Sequence, residues 1–217
     1  MPYYPQETDI NIDLTQVEDV DAAKKQIERT IDLHVSSNKK QESYCLFIMA
    51  KIPYACYLGY ILGNKVKSET FQFFRDKQDW KWRLGQFGHF VIVKPTEIST
   101  QSHVNLLVEV SGKIDQTLIL KNMTYSVQAD KPGFLFLQSR EQLVEFQIKF
   151  RELLNEIREA NSESVTIHLV LAAPNPITFE VGKSIMKNID PTILLYDKVE
   201  GHLGYKKVMC LHERIKR

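Results

Sequence analysis

The sequence predicts an α/β fold with mainly parallel sheets, arising by internal duplication. Three observations carry this. Ala50-x-x-Pro53-x5-Gly59 recurs as Ala173-x-x-Pro176-x5-Gly182, so that position 59 maps onto 182 at a constant offset of 123. The apolar segment Leu46 to Ala50 overlies Leu169 to Ala173 without a gap, and Phe71-Gln-Phe73 overlies Leu194-Leu-Tyr196. Each copy therefore reads strand, turn, helix, strand, the order of a parallel βαβ unit, whose helix starts are places for anions.

A chain of 217 residues with 43% hydrophobic residues buries a substantial core. With 28 basic and 27 acidic side chains its overall field is weak, which argues against duplex nucleic acid but leaves room for a small, locally held anion. The longest apolar run, Cys45 to Ala50, is too short to span a bilayer, and the N-terminus lacks the basic and apolar regions of a signal peptide. No membrane association and a cytoplasmic location are expected. Cys45, Cys56 and Cys210 sit in apolar segments without metal spacing and read as buried, reduced thiols.

Thr15-x-x-Glu18 has the spacing of a capping box, and Val17, Val20, Ile27 and Ile31 follow at helical steps, predicting a helix over about 16–34. A polar loop, 36–43, leads to a continuously apolar strand over 44–50, as in a strand covered on both faces. Pro53 suits a first helical turn, Gly63-Asn64 a helix end, and 68–74 the next strand. Strands are expected over 104–110 and 123–127, with Asp130-Lys-Pro-Gly133 as a turn. Ser139-x-x-Gln142 is a second capping box opening a long helix that ends before Asn161. The second copy gives strand 166–172, helix 176–187, strand 192–196 and a last strand near 208–211. No linker divides the chain. One domain, 1–217, is expected, with pseudo-repeat halves of about 36–127 and 134–212.

Neither duplicated loop carries a G-x-G-x-x-G or Walker-type cradle. Instead Ala50, Ala172 and Ala173 would let a ligand approach the backbone, and Pro53 and Pro176 would open helices toward it. The same residues serve packing and helix initiation equally well. Arg75-Asp-Lys-Gln-Asp-Trp80-Lys81-Trp82-Arg83 follows the second strand and holds both tryptophans, with six basic and three acidic residues between Lys65 and Arg83. Rings interleaved with cations suit stacked bases and held phosphates; they also suit a loop stapled to the core by its tryptophans. Tyr196, Tyr205 and Lys206 would reach the rim from the second copy, and Asn175 could hydrogen-bond a base or ribose. The histidines show no metal spacing, and His168 reads as a satisfied core histidine. No metal, cofactor or catalytic residue is indicated, which favours binding over catalysis.

Ala-Lys-Ile-Pro53, Leu58-Gly59, Phe73-Phe-Arg-Asp76 and Asp79-Trp-Lys-Trp82, together with His168 to Pro174, Gly182, Leu194 to Asp197 and Tyr205, resemble the SAVED domain over roughly residues 40–212. The resemblance implies two fused CARF-like Rossmann halves that receive a cyclic oligonucleotide in CBASS or type III CRISPR antiphage signalling. It implies a cyclic di-, tri- or tetranucleotide ligand and head-to-tail self-assembly that switches on an effector. The chain has no room for a protease, nuclease or TIR effector, so either that effector is a separate polypeptide or the chain is a module of a longer protein, Met1 favouring a whole chain. Phosphates would meet Lys51, Arg75, Lys81 or Lys206, and bases Tyr54, Trp80, Trp82 or Tyr205, with Pro53, Ala173, Pro174, Asn175 and Tyr196 completing the pocket. The rival readings are a ring nuclease that degrades its ligand, a scaffold or sponge without an effector, and a Rossmann-like domain for another nucleotide.

Overall fold

The computed structural model describes residues 10–17, 19–36, 43–97, 99–161 and 164–214. Helix α1 (Val20–Ile31) presents Ala23, Ile27 and Ile31 to the core at four-residue steps and runs into a π turn at Asp32–Ser36. Its cap differs from the sequence expectation. Asp19 accepts from the Ala22 N–H at 2.7 Å, whereas Thr15 is tied to Asp13, and Glu18 lies outside the described residues. The polar loop expected over 36–43 lies mostly outside them as well.

The first copy consists of β1 (Ser43–Phe47), α2 (Ile52–Leu62) and β2 (Lys67–Phe71), with β1 and β2 pairing in parallel as a two-stranded sheet of their own. β1 is not covered on both faces as its apolar run suggested: its residues alternate between exposed and half-buried, because a two-stranded sheet offers cover on one face only. Cys45 is accordingly exposed, as is Cys210, and only Cys56 is a buried thiol, which burial holds far above its usual range.

The remaining strands are β3 (Phe90–Val93), β4 (His103–Glu109), β5 (Met123–Ala129), β6 (Thr166–Ala172), β7 (Thr192–Lys198) and β8 (Tyr205–His212), separated by α3 (Arg140–Asn161) and α4 (Asn175–Lys183). They form one sheet of order β3-β5-β4-β6-β7-β8, with β3 and β8 antiparallel at its edges and parallel pairing between. The strands between the two copies in sequence thus pair with the second copy. β3 is short and alternates only weakly, which is why periodicity did not reveal it. The capping box at α3 is formed: Gln142 N–H donates to Ser139 Oγ, and Ser139 N–H donates to Gln142 Oε1, both at 3.2 Å.

α3 and α4 cover one face of the large sheet, and α2 packs against α4. That contact is unusually close. A Cβ on Gly59 would stand 2.0 Å from the Phe179 carbonyl oxygen, and one on Gly182 would stand 1.9 Å from the Cys56 carbonyl oxygen. The further neighbours, Lys183 N and Tyr60 N, are each 2.9 Å away. Cys56 and Phe179, like Tyr60 and Lys183, stand at the same offset as the two glycines, so the helices meet as a pseudo-twofold pair. Only glycine permits this backbone contact. No described helix is long and apolar enough to cross a membrane.

His212 fastens the same junction, with Tyr60 Oη 3.2 Å from its Nδ1 and the Asp190 carbonyl 3.2 Å from its Nε2, an arrangement that suits the neutral ring. Burial holds His212 and His168 below the usual histidine range.

Two predictions follow from these contacts. Gly182→Ala puts a methyl group into backbone rather than into a yielding side chain, so a loss of about 3 kcal/mol is expected in urea unfolding, with the same direction for Gly59→Ala. As pH falls below the unfolded histidine value of about 6.5, the unfolded chain takes up protons that folded His168 and His212 refuse, so stability is present above that value and lost below it. Glu180 and Asp197, raised by burial, act in the opposite sense above the ordinary carboxylate range. Calorimetry should show the melting temperature falling between about pH 7 and 5.5, with a smaller fall in His212→Gln.

Candidate functional site

The glycine contact sets the starts of α2 and α4 beside each other. Neither helix has a side-chain cap: Lys51 and Pro174 are the N-cap residues, both in extended conformation, and each helix carries proline in its first turn. The loops are joined directly, since the Asn175 side-chain amide donates to the Ile48 carbonyl at 3.0 Å. One N–H of the Asn175 amide is engaged by the first copy's strand end, leaving the other N–H and the side-chain oxygen for a ligand.

Lys51 is exposed, and its charge acts on Asp197 at the end of β7. Burial pushes the Asp197 carboxyl above the usual carboxylate range, while the Lys198 N–H, donating at 2.8 Å, and Lys51 pull it back. Lys206 pairs with Asp197 across β7 and β8, which puts both on one face of the sheet. Lys51, Asp197 and Lys206 therefore bring charge from both copies to one rim. A second carboxyl-edge element went unnoticed in the sequence. The strand order reverses between β4 and β6, the position where open α/β sheets bind ligands, and Ser111-Gly112-Lys113 follows β4 there. Val110 and Ser111 N–H groups donate to the Ala172 carbonyl at 2.9 and 2.7 Å, fastening this loop to Ala173 and Pro174. Lys113 lies 3.6 Å from the buried Glu109 carboxylate. The small, basic run after an apolar strand was the available signal.

The tryptophan loop is a tight hairpin, closed by a Phe74 to Asp79 bridge with Gln78 at φ 51°. It folds onto the carboxyl end of β1. Trp80 meets Phe47 and Phe73 with ring centroids 5.3 and 5.0 Å away, and Phe47 stacks on Phe71 at 5.0 Å. Trp82 packs against Phe74 and the core, and its buried indole N–H has no hydrogen-bond partner. Arg83 forks onto Asp79 at 3.0 and 3.2 Å and lies over the Phe74 ring at 4.2 Å. The rings thus staple the loop, while Arg75 and Lys81 project from it, exposed. Tyr54 is a correction: at 5% exposure it belongs to the core and has no face for a base, because its place in α2 is on the buried part of that helix; Pro53 is buried with it. Tyr196 and Tyr205 do not reach the Lys51 rim. They line a cavity on the other face of the large sheet.

The sequence model of the SAVED family, described as the SMODS-associated and fused to various effectors sensor domain, matches residues 23–211. The chain belongs to the SAVED family. Its fold is similar to that of the Acinetobacter baumannii Cap4 SAVED/CARF-domain containing receptor solved with the cyclic trinucleotide 2'3'3'-cAAA, at a TM-score of 0.66 and 17% identity over 94% of this chain and 48% of that one. The same receptor solved with 3'3'3'-cAAA gives 0.63 and 18% over 94% and 48%. The Moraxella osloensis Cap4 receptor gives 0.60 and 18% over 94% and 47%. This SAVED chain spans about half the length of those receptors. No curated protein matches it.

Proposed function

We propose that this SAVED domain is a sensor that binds a cyclic oligonucleotide second messenger of antiphage defence across the paired starts of α2 and α4. The single observation that carries the reading is the joining of the two duplicated loops, by the Gly59 and Gly182 contact and by the Asn175 to Ile48 hydrogen bond, into one cleft with two uncapped helix starts. Helix starts attract anions, and a ring bearing several phosphates can meet both. Lys51 and Lys206 supply cationic charge beside them, Lys113 approaches from the switch point, and Arg75 and Lys81 extend from the tryptophan loop. The family assignment and the solved Cap4 receptors with cyclic trinucleotides support this choice of ligand. Relay to an effector on a separate polypeptide, through self-assembly of the liganded domain, completes the proposal.

A thermal-shift panel of cyclic di-, tri- and tetranucleotides is the test, because a ligand that binds only the folded state raises its melting temperature. One ring size should give a selective shift, and no shift with any ring in the folded protein counts against the reading. Calorimetric titration of the responding ring then examines the rim. Lys51→Glu should weaken it about tenfold or more, the scale of a lost hydrogen bond to a charged group. Asp197→Asn should tighten it, since the amide no longer competes for the Lys51 ammonium. An unchanged affinity in both variants would move the ligand elsewhere.

A further inference from the structure

The face of the large sheet away from α3 and α4 holds a cavity of about 280 Å³, close to the lower end of ligand pockets, near 300 Å³. Its floor is β4, β6 and β7, through Asn105, His168, Val170 and Tyr196. Its roof is the short 3₁₀ turn Gln116–Leu118 with the residues just after it and the β7–β8 connection ending in Tyr205. The two roof segments touch: Gly204 has φ 86°, and a Cβ there would lie 2.9 Å from the Leu118 carbonyl oxygen. The cavity is therefore held open by backbone and not by chance side-chain placement. Successive strand residues face opposite ways, so Tyr196 looks into this cavity while Asp197 looks toward Lys51. The cavity and the cleft at the helix starts are on opposite faces.

The lining specifies its guest. Three of its walls are the flat rings of His168, Tyr196 and Tyr205. No lysine or arginine is among its lining residues, and burial pushes the Tyr205 hydroxyl up. An anion therefore finds no cationic partner among the lining residues. Besides the Tyr205 hydroxyl, which can donate or accept, the hydrogen-bonding capacity left over is that of acceptors. Asn105 spends its N–H groups on the Leu120 carbonyl at 2.7 Å and Thr124 Oγ1 at 3.2 Å, while its oxygen, already accepting from Asn122 at 3.3 Å, keeps a second lone pair. Tyr196 Oη is 3.0 Å from His168 Nδ1, whose Nε2 is in turn 3.1 Å from Nδ1 of the exposed His103, so this hydroxyl also keeps a free lone pair.

We propose that the cavity is a second ligand site, for a neutral, planar nitrogen heterocycle that bears an amino group and is of nucleobase size. The amino group donates to the free lone pairs of Asn105 and Tyr196, and the ring lies between Tyr205 and Val170. This inference does not depend on the cleft at the helix starts.

The test uses the full chain with labelled histidine and tyrosine rings, titrated by NMR with adenine, purine and benzoate. Adenine has about ten non-hydrogen atoms, so a dissociation constant on the order of 1 mM is expected, with shifts at His168, Tyr196 and Tyr205. Purine, lacking the amino group, should bind at least about threefold more weakly, and benzoate should leave these rings unmoved. Tyr196→Phe should weaken adenine by about three- to tenfold. Leu203→Trp, at a rim residue 88% exposed and so remote from folding, should block entry. Absence of shifts at the three rings up to about ten times the expected constant overturns the site. Benzoate or purine binding as tightly as adenine overturns the assigned chemistry, and undiminished adenine binding in folded Leu203→Trp places it elsewhere.

Discussion

Two helices touching backbone to backbone are the constraint on which the rest of this structure depends. A carbonyl about 2 Å from where a side chain would begin, on both sides of a pseudo-twofold, is tolerated only because Gly59 and Gly182 have no side chain. The contact lets α2, which connects the two strands of a small sheet, dock onto α4 of a sheet of six. A two-stranded sheet is marginal by itself. Its stability here comes from α2, from the aromatic cluster of Phe47, Phe71, Phe73 and Trp80, and from cross-copy bonds at Asn175 and His212.

The same contact has an electrostatic consequence. Bringing two helix starts together concentrates positive potential from the backbone at one place, and neither start has a side-chain cap to offset it. Asp197 is the nearest counterweight described there, and it carries an energetic cost of its own, since burial opposes its ionisation. The opposite sheet face has a different character, a ring-lined cavity with hydrogen-bonding groups and no lysine or arginine in its lining, so one sheet offers two faces suited to different chemistry.

Much of the architecture was legible in the sequence. The offset of 123 identified the duplicated βαβ units, both proline-bearing helix starts and the two glycines, and the Ser139 box marked the start of α3. What escaped was what sequence spacing does not encode. An apolar run such as 44–50 reads the same whether covered on one face or two, so the partial exposure of β1 was missed. Tyr54 and Trp82 have the composition of a base-stacking site, yet one is core and the other is stapled to Phe74, because ring chemistry does not say which way a ring points. The pairing of β4 and β5 with the second copy, the reversal of strand order beside Ser111, and the cavity under Gly204 are products of long-range pairing and leave no local trace.

The account's central claim is that two duplicated helix starts act as one cleft. Hydrogen exchange measured with and without a cyclic trinucleotide tests it most directly, because first-turn amides slow when an anion accepts from them. The amides of Ile52 and Tyr54 and those of Asn175 and Ile177, the first-turn positions that are not proline, should gain protection together and at the same ligand concentration. Protection of one helix start without the other, or of neither while the ligand binds, would contradict the claim.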